Sequence, residues 1–278
     1  MTAVFALSMV FTSCTKEGQY MPKKKISEVV HQKSYTTPLG TNISRTEREV
    51  WNWNGKLLSY IDYYSATGDR TTSLFRYDDD KRVEEINYGS YTAKFDYDDG
   101  LVDEIKILND RGEVITKYDF EHEGKTVTAI DITTGGQKDA KPLPFNPLRL
   151  FLPENAANSV QNCAATKGSS RMVFTWTGKN ITAMDIIGAQ KVSYKWTYDD
   201  KVNPYKGLFD LVQSRADLIY SVNNVTREEK VDGSNVSVES YTYTYDGKCP
   251  VKKVWEMQEN ELFDITITIH CETEYRYQ

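Results

Sequence analysis

The sequence FDYDDGLVDEI, residues Phe95–Ile105, decides the fold. Two aromatic residues alternate with aspartate, an Asp99-Gly100 pair follows, and aliphatic residues return beyond that pair. Alternation with a period of two is typical of a β-strand with one buried face. An Asp-Gly pair supplies the positive φ angles that a two-residue hairpin turn needs. The stretch therefore predicts a β-hairpin with an aromatic strand and an aliphatic strand.

The same order of residue types recurs along the chain. Copies begin at Trp51, Phe75, Phe95, Tyr118, Phe174, Tyr194 and Tyr243. The consecutive starts at 75, 95 and 118 are 20 and 23 residues apart, a length that fits two strands, a turn and a return loop. Because an isolated hairpin is only marginally stable, successive hairpins should pair with one another. We predict an all-β fold, an antiparallel meander of repeated β-hairpins forming a large curved sheet or barrel.

Two similar insertions interrupt the repeat, NPLRLFL at 146–152 and NPYKGLF at 203–209. The segments 153–163 and 208–219 each predict a short helix, and Pro153 suits a first helical turn. We interpret the insertions as paired excursions that cap an open end of the sheet. Loops on a rigid scaffold are where binding sites are often built. The alternative is a plug that only packs.

The N-terminus carries an uncharged apolar run, MTAVFALSMVFTSC, followed by hydrophilic sequence. The run is shorter than the roughly 20 apolar residues that cross a bilayer as a helix, and it is typical of an export signal. Its final cysteine resembles the lipobox of bacterial lipoproteins, which implies acylation of Cys14. Residues 15–48 are polar and lack a sustained period, so they can bury little. The predicted organisation is a signal peptide at 1–13, a lipidated tether at 14–48 and a single β-hairpin-repeat, barrel-like domain at 49–278.

The repeats resemble YD-type repeats, as in FDYDDG at 95–100 and YTYDG at 243–247. Together with the signal, they are similar to a family of uncharacterised lipoproteins from Gram-negative bacteria whose fold is described as porin-like. The resemblance covers residues 48–278 of this chain. It implies a curved antiparallel sheet closing into a barrel, anchored at the outer membrane on its periplasmic or surface side. The family has no established activity, so the resemblance implies no catalytic residues.

Composition limits the partners of the chain. Its net charge is -6 over 278 residues, whereas a nucleic-acid-binding surface needs a basic face, so we expect no nucleic-acid partner. Acyl chains at Cys14 would make the membrane a partner. An oxidising compartment allows one disulfide among the other cysteines. Cys249 and Cys271 lie in neighbouring predicted strands and are the preferred pair.

A search for catalytic and metal motifs finds none in the sequence. The histidines, His31, His122 and His270, occur in no metal-ligand spacing, and no nucleophile elbow or phosphate loop is present. Acidic clusters such as Asp78–Asp80 fall at the repeated turns, where aspartate bonds its own backbone. Calcium binding is the alternative explanation for them. We predict no catalytic residue, no metal and no cofactor.

Aromatic residues are the remaining functional indication. Exposed tyrosine and tryptophan offer flat faces to sugars or protein partners, but most of them occupy repeat positions that face the core. Tyr64, Tyr88 and Tyr205 lie near loops and are the predicted ligand contacts. The favoured function is a lipid-anchored binding or structural module of the cell envelope, with a glycan or an envelope protein held by the excursions.

Two other functions stay open. One is a glycan-processing hydrolase that uses an acidic pair, which would need Asp or Glu in a cleft away from the turns with a raised pKa. The other is a structural shell with no ligand. We favour the binding module over an enzyme.

Overall fold

β-Strands form at each predicted hairpin. The structure, a computed structural model, describes residues 25–37, 40–124, 126–135, 143–163, 168–189, 191–205, 208, 210–212, 222–261 and 265–278. The strands are β1 (Ile26–Thr36), β2 (Asn42–Asn54), β3 (Leu57–Tyr64), β4 (Arg70–Tyr77), β5 (Val83–Asn87), β6 (Tyr91–Asp98), β7 (Leu101–Asn109), β8 (Val114–Glu123), β9 (Thr126–Thr134), β10 (Gly168–Thr177), β11 (Asn180–Ile187), β12 (Lys191–Tyr198), β13 (Val225–Asp232), β14 (Asn235–Ser240), β15 (Thr242–Asp246), β16 (Cys249–Glu261) and β17 (Ile265–Tyr277). The described residues also form one α-helix, α1 (Glu154–Cys163), and two 3-10 turns, Pro147–Leu150 and Asp210–Val212.

The strands form one antiparallel sheet that curls into a nearly closed barrel, which confirms the predicted meander. From β1 to β14, each strand pairs with the next one along the chain. β15, β16 and β17 continue the sheet, and β17 pairs with β1, so the first and last strands meet. Between β14 and β15 the backbone changes partner at Tyr241, whose N–H donates to the carbonyl of Thr226 in β13 (2.8 Å).

The β-domain begins before residue 49, which corrects the predicted boundary. β1 and most of β2 lie within the predicted tether, and β1 bridges β2 and β17. The inward face of β1 carries His31 and Lys33, which line a polar chamber described below. β1 therefore lacks the apolar alternation that reveals a half-buried strand. Cys14 and the signal lie outside the described residues, so lipidation remains a prediction.

A β-bulge in the second strand of the hairpins explains the spacing of their aliphatic residues. Val102 and Ile105 are three positions apart, yet both are buried, whereas residues three apart in a regular strand face opposite sides. Asp103 is an extra residue here, because the register shifts between the partners of Asp96 and Tyr97. The bulge restarts the alternation, so both aliphatic side chains face the core. The same register shift occurs in the pairings of β3, β5, β9 and β11.

A tyrosine, tryptophan or histidine side chain on one strand pair contacts a backbone carbonyl of the strand pair before it. The hydroxyl of Tyr97 donates to the carbonyl of Val83 (2.6 Å), which lies opposite Tyr77 in the preceding hairpin. Equivalent side-chain contacts to a carbonyl join Trp53 to Ile26, Tyr77 to Leu58, His122 to Val102, Trp176 to Val127, Tyr198 to Ile181, Tyr243 to Val225, and Tyr277 to Pro250. Neighbouring hairpins are thus linked by side chains as well as by the backbone ladder.

Tyr97→Phe is expected to lower the free energy of unfolding by about 1 kcal/mol, because the carbonyl of Val83 loses its side-chain donor while the ring stays in place. Urea unfolding followed by tryptophan fluorescence measures the loss. Tyr91→Phe is the matched control, since the Tyr91 hydroxyl forms no hydrogen bond within the part of the chain that the structure describes. Equal losses in the two variants would contradict the linking role of Tyr97.

The two excursions enter the barrel from opposite ends, which corrects the expectation that both cap one open end. The tight turns within the repeats define a hairpin end, and the connections between repeats define a return end. The first excursion, residues 143–163, follows β9 and enters from the return end. The second follows β12 and enters from the hairpin end, and its described residues are 199–205, 208, 210–212 and 222–224. Their direction follows from strand order, since alternate strands of a meander end on opposite sides.

Buried side chains of the excursions fill much of the interior. The hydrophobic ones exposed by 6% or less are Phe145, Leu148, Leu150, Phe151, Leu152, Ala156, Ala157, Val160, Tyr205, Leu208, Leu211 and Val212. α1 confirms the helix predicted at 153–163. Of the helix predicted at 208–219, the structure describes only residue 208 and the 3-10 turn Asp210–Val212, and the rest lies outside the described residues. Packing is therefore one role of the excursions.

The predicted Cys249–Cys271 disulfide is wrong, because both thiols are free. The two strands are neighbours, as predicted, but Cys271 lies opposite Trp255, six residues along β16 from Cys249. That offset is about 20 Å along a strand, whereas a disulfide needs Cα atoms within about 7 Å.

No helix in the described ranges has the length and apolar character needed to cross a bilayer.

Candidate ligand-binding site

The interior of the barrel has an apolar side and a polar side. Facing β4 to β12, the first excursion packs Phe151 against Phe95 and Phe120, with ring centroids 6.5 and 5.1 Å apart. Along β1 to β3 and along β13, β14, β16 and β17, a chamber of about 730 Å³ remains. Its lining includes the side chains of His31, Lys33, Glu47, Glu49, Tyr63, Asn146, Arg149, Glu154, Glu228, Glu239, Tyr241, Lys253 and Trp255. A volume of this size is typical of a small-molecule site.

Strand alternation places the polar residues in the chamber. Glu47 and Glu49 are two apart on β2, and Lys253 and Trp255 are two apart on β16. Residues at this spacing share one face of a strand. The interior face of these strands is therefore polar, whereas the interior face of β6 to β11 is apolar. This difference leaves a polar chamber on one side of the barrel, while the first excursion packs the other side.

An ion pair between Arg149 and Glu49 forms one wall of the chamber. Arg149 Nη1 donates to Glu49 Oε1 (2.8 Å), and both residues are only 5% exposed. Trp51 Nε1 also donates to Glu49 (3.1 Å), and His31 Nε2 lies 3.9 Å from Oε1. Burial opposes ionisation of Glu49, but Arg149 and His31 outweigh it and hold the pKa of Glu49 well below its usual value.

Aromatic rings surround the Arg149 guanidinium. Its central carbon lies 4.9 Å from the ring centroid of Tyr205, 5.0 Å from that of Phe145 and 5.9 Å from that of Trp51. A second carboxylate, Glu154, is 3.7 Å from Nη2. Because Arg149 and Phe145 belong to the first excursion and Tyr205 to the second, the guanidinium is where the two excursions meet.

Lys253 is a buried residue that lines the chamber. The residue is 6% exposed, and its Nζ lies 4.6 Å from the ring centroid of Trp255 and 5.2 Å from that of Tyr241. The nearest carboxylate oxygen, on Glu154, is 3.9 Å away, beyond hydrogen-bond distance. Among the described residues its three N–H groups have no hydrogen-bond acceptor. The lysine is thus equipped to donate to a bound molecule.

Carboxylates on β13 and β14 supply acceptors to the same chamber. Glu228 and Glu239 lie directly opposite each other in the β13–β14 ladder, an unfavourable pairing of like charges. Trp196 Nε1 donates to Glu228 (2.7 Å), and the Tyr241 hydroxyl donates to Glu239 (2.8 Å). Each carboxylate oxygen can accept more than one hydrogen bond. The chamber therefore offers donors and acceptors beside flat aromatic faces.

Solved structures with this architecture include a porin-like protein from Bacteroides uniformis, with a TM-score of 0.52 and 11% identity over 91% of this chain and 98% of that chain. The fold is porin-like. A porin-like protein from Bacteroides vulgatus aligns over 92% of this chain and 99% of its own, with a TM-score of 0.47 and 10% identity. No protein-family model matches the sequence, and no curated protein is detectably similar to it. At these identities the likeness concerns the fold alone.

The porin-like barrel separates the three tyrosines predicted as ligand contacts. Tyr205 is buried against Trp51 and Tyr275, which corrects its expected exposure near a loop. The hydroxyl of Tyr88 is buried and has no partner within the described residues. Tyr64 is half-buried at the end of β3 and carries the Arg48 guanidinium 4.4 Å above its ring. A ligand role for Tyr64 or Tyr88 remains a prediction.

Sequence reasoning missed the residues that line the chamber. Arg149 lies inside the apolar run NPLRLFL at 146–152, and a lone arginine there was a usable signal, since a buried charge needs a partner. Lys253 follows Lys252 in a strand whose alternation alone does not say which lysine faces inward. The chamber of the porin-like barrel is lined by strands that are distant in sequence, so no local sequence pattern predicts it.

Acidic residues do lie in a cleft away from the turns, as the hydrolase alternative required. The same alternative required a carboxyl group with a raised pKa, whereas the pKa of the Glu49 carboxyl in the chamber is lowered. Asp78 behaves as turn chemistry predicts, because its Oδ1 accepts from the backbone N–H of Arg82 (2.8 Å). Within the described residues, no group of three His, Cys, Asp or Glu is placed to hold a metal ion.

Proposed function

We propose that this porin-like barrel is a lipid-anchored protein of the outer membrane that binds a small glycan in its chamber. Lys253 beside Trp255 is the observation that carries the proposal. Acylation at Cys14 would supply the anchor. The signal-like N-terminus and the porin-like Bacteroides structures support an envelope location. A chamber of about 730 Å³ suits a small ligand better than a protein surface.

A sugar offers the groups that this chamber can bind. Its hydroxyls accept from an ammonium group and donate to carboxylates, and its C–H faces pack on aromatic rings. Lys253 supplies unused donors between the rings of Trp255 and Tyr241. Glu228 and Glu239 supply acceptors from the adjoining strands. A sugar bridging these groups would satisfy the lysine and separate the two like charges.

An anionic ligand fits the chamber poorly. Carboxylates outnumber cationic groups in the lining: Glu47, Glu49, Asp69, Glu154, Glu228, Glu239 and Glu272 stand against Lys33, Arg149 and Lys253. A phosphate or a uronic acid would meet an excess of like charge, which is how a site rejects a competitor. We therefore propose neutral or amine-bearing glycans as ligands.

Isothermal titration calorimetry of the full chain with a neutral, an amine-bearing and a uronic-acid oligosaccharide tests this function. We expect the first or second to bind and the third to bind more weakly. Lys253→Met should lower the affinity by about tenfold or more, since a hydrogen bond to a charged group contributes about 1.5–3 kcal/mol. Lys195→Met, on the exposed outer face of β12, is the matched control.

Circular dichroism must show that both variants keep the β-sheet. Unchanged affinity of Lys253→Met, or binding of none of the three probes by the wild type, would refute the proposal. The hydrolase remains a second candidate because Glu228 and Glu239 lie side by side on one wall of the chamber. Release of reducing ends from a bound glycan, abolished by Glu239→Gln, would favour it.

A further inference from the structure

A second, much smaller cavity lies next to the chamber. Its volume is about 30 Å³, which is enough to hold one water molecule. Glu154 and Lys253 line both the cavity and the chamber. Tyr205 and Asn224 line the small cavity from the second excursion.

Two buried polar atoms in this lining have no partner among the described residues. They are the hydroxyl of Tyr205 and Oδ1 of Asn224, in residues that are 6% and 3% exposed. The amide group of Asn224 donates to both carboxylate oxygens of Asp199 (3.3 and 3.1 Å), which fixes its orientation and leaves the oxygen free. The residues that line the cavity thus include one unused acceptor and one unused hydroxyl.

The Tyr205 hydroxyl stays protonated and can donate. Burial, with the nearby Glu154 carboxylate, raises the pKa of Tyr205 well above its usual value. A buried donor and a buried acceptor that lack hydrogen-bond partners each carry a desolvation penalty. Buried waters are found where polar groups of this kind line a space large enough to hold one.

We propose that this cavity binds one ordered water molecule, which accepts from the Tyr205 hydroxyl and donates to Asn224 Oδ1. The carboxylate of Glu154 is the acceptor for its second proton. The water would join the second excursion to α1 of the first excursion, next to the chamber. This inference is independent of the glycan proposal, because it concerns how the interior is held together.

The sign of one stability change tests the water site. If water bridges the groups, Tyr205→Phe breaks a hydrogen bond and should lower the folding equilibrium constant by roughly fivefold. If no water is bound, the same change removes an unsatisfied hydroxyl and should leave stability unchanged or raise it. The phenylalanine ring can keep the contacts with Trp51 and Tyr275.

Tyr88→Phe is the matched control. The Tyr88 hydroxyl is also buried without a partner in the described residues, but it lines neither the chamber nor the small cavity. We expect its loss to be neutral or stabilising. Unchanged or increased stability of Tyr205→Phe would overturn the proposal. So would a crystal structure at about 1.5 Å resolution without ordered density between Tyr205 and Asn224.

Discussion

Arg149→Met is expected to lower the free energy of unfolding by about 3–5 kcal/mol, because it leaves the Glu49 carboxylate buried without its guanidinium partner. The change also removes the cation that the rings of Phe145 and Tyr205 surround. Urea unfolding of the purified barrel measures the loss. Arg76→Met is the matched control, since Arg76 makes its ion pair with Glu85 on the exposed outer face. A surface pair contributes at most about 1 kcal/mol.

A double variant separates the cost of stranding a charge from the contribution of the pair. Arg149→Met with Glu49→Leu should be more stable than Arg149→Met alone, because no charge is left unpaired. If the double variant is the less stable of the two, burial of the lone carboxylate is not what destabilises the single variant.

The pH dependence of stability provides an independent check on the pair. The pKa of Glu49 is lower in the folded state than its usual value of 4.5. Its contribution to stability is therefore fully present above that pH and is lost as the pH falls toward the folded-state pKa. Glu49→Gln should flatten the loss of stability between about pH 5 and pH 3. An unchanged pH profile would show that Glu49 is not a main source of acid sensitivity.

Phe151→Ala is expected to lower the free energy of unfolding by about 3–5 kcal/mol, because it opens a cavity in the apolar half of the barrel. Phe151 is 3% exposed and contacts the rings of Phe95 and Phe120. Val114→Ala, at an exposed site on the outside of β8, should change stability by less than about 0.5 kcal/mol. Thermal and urea unfolding of both variants measure the difference.

The outcome also decides what the first excursion does. If it is a structural plug, Phe151→Ala destabilises the whole barrel. The strands and the first excursion then unfold in one transition. If it is a loosely held loop, far-ultraviolet circular dichroism and the main transition stay at the wild-type values. The second result would contradict the packing that the structure shows around Phe151.

The hairpins were predictable from sequence because each one carries its own local signals. Asp99 and Gly100 adopt positive φ angles of 44° and 79°, as the turn residues indicated. The two-residue period identified the strands around them. The bulge at Asp103 was not predicted, although the three-residue interval between Val102 and Ile105 indicates it. The same register shift occurs in the other hairpins that carry this bulge.

The chamber was not predictable in the same way. A rule that places polar residues outside and apolar residues inside assigns Glu49 and Lys253 to the surface, and it assigns β1 to a tether. Both errors have one cause, since the interior of this barrel is polar where the first and last strands meet. The disulfide failed for a related reason. Neighbouring strands can be recognised from sequence, whereas the register that separates Cys249 from Cys271 cannot.

The joining of β1 to β17 has a consequence for the order of folding. His31 and Thr273 are in contact across 242 residues of chain, and closing a flexible loop of that length costs about 5 kcal/mol in entropy. Each hairpin can form as soon as it is made, but β1 keeps an unpaired edge until the final strand arrives. The sheet must therefore grow from local contacts and close last. During synthesis, the exposed edge of β1 is therefore open to pairing with another molecule.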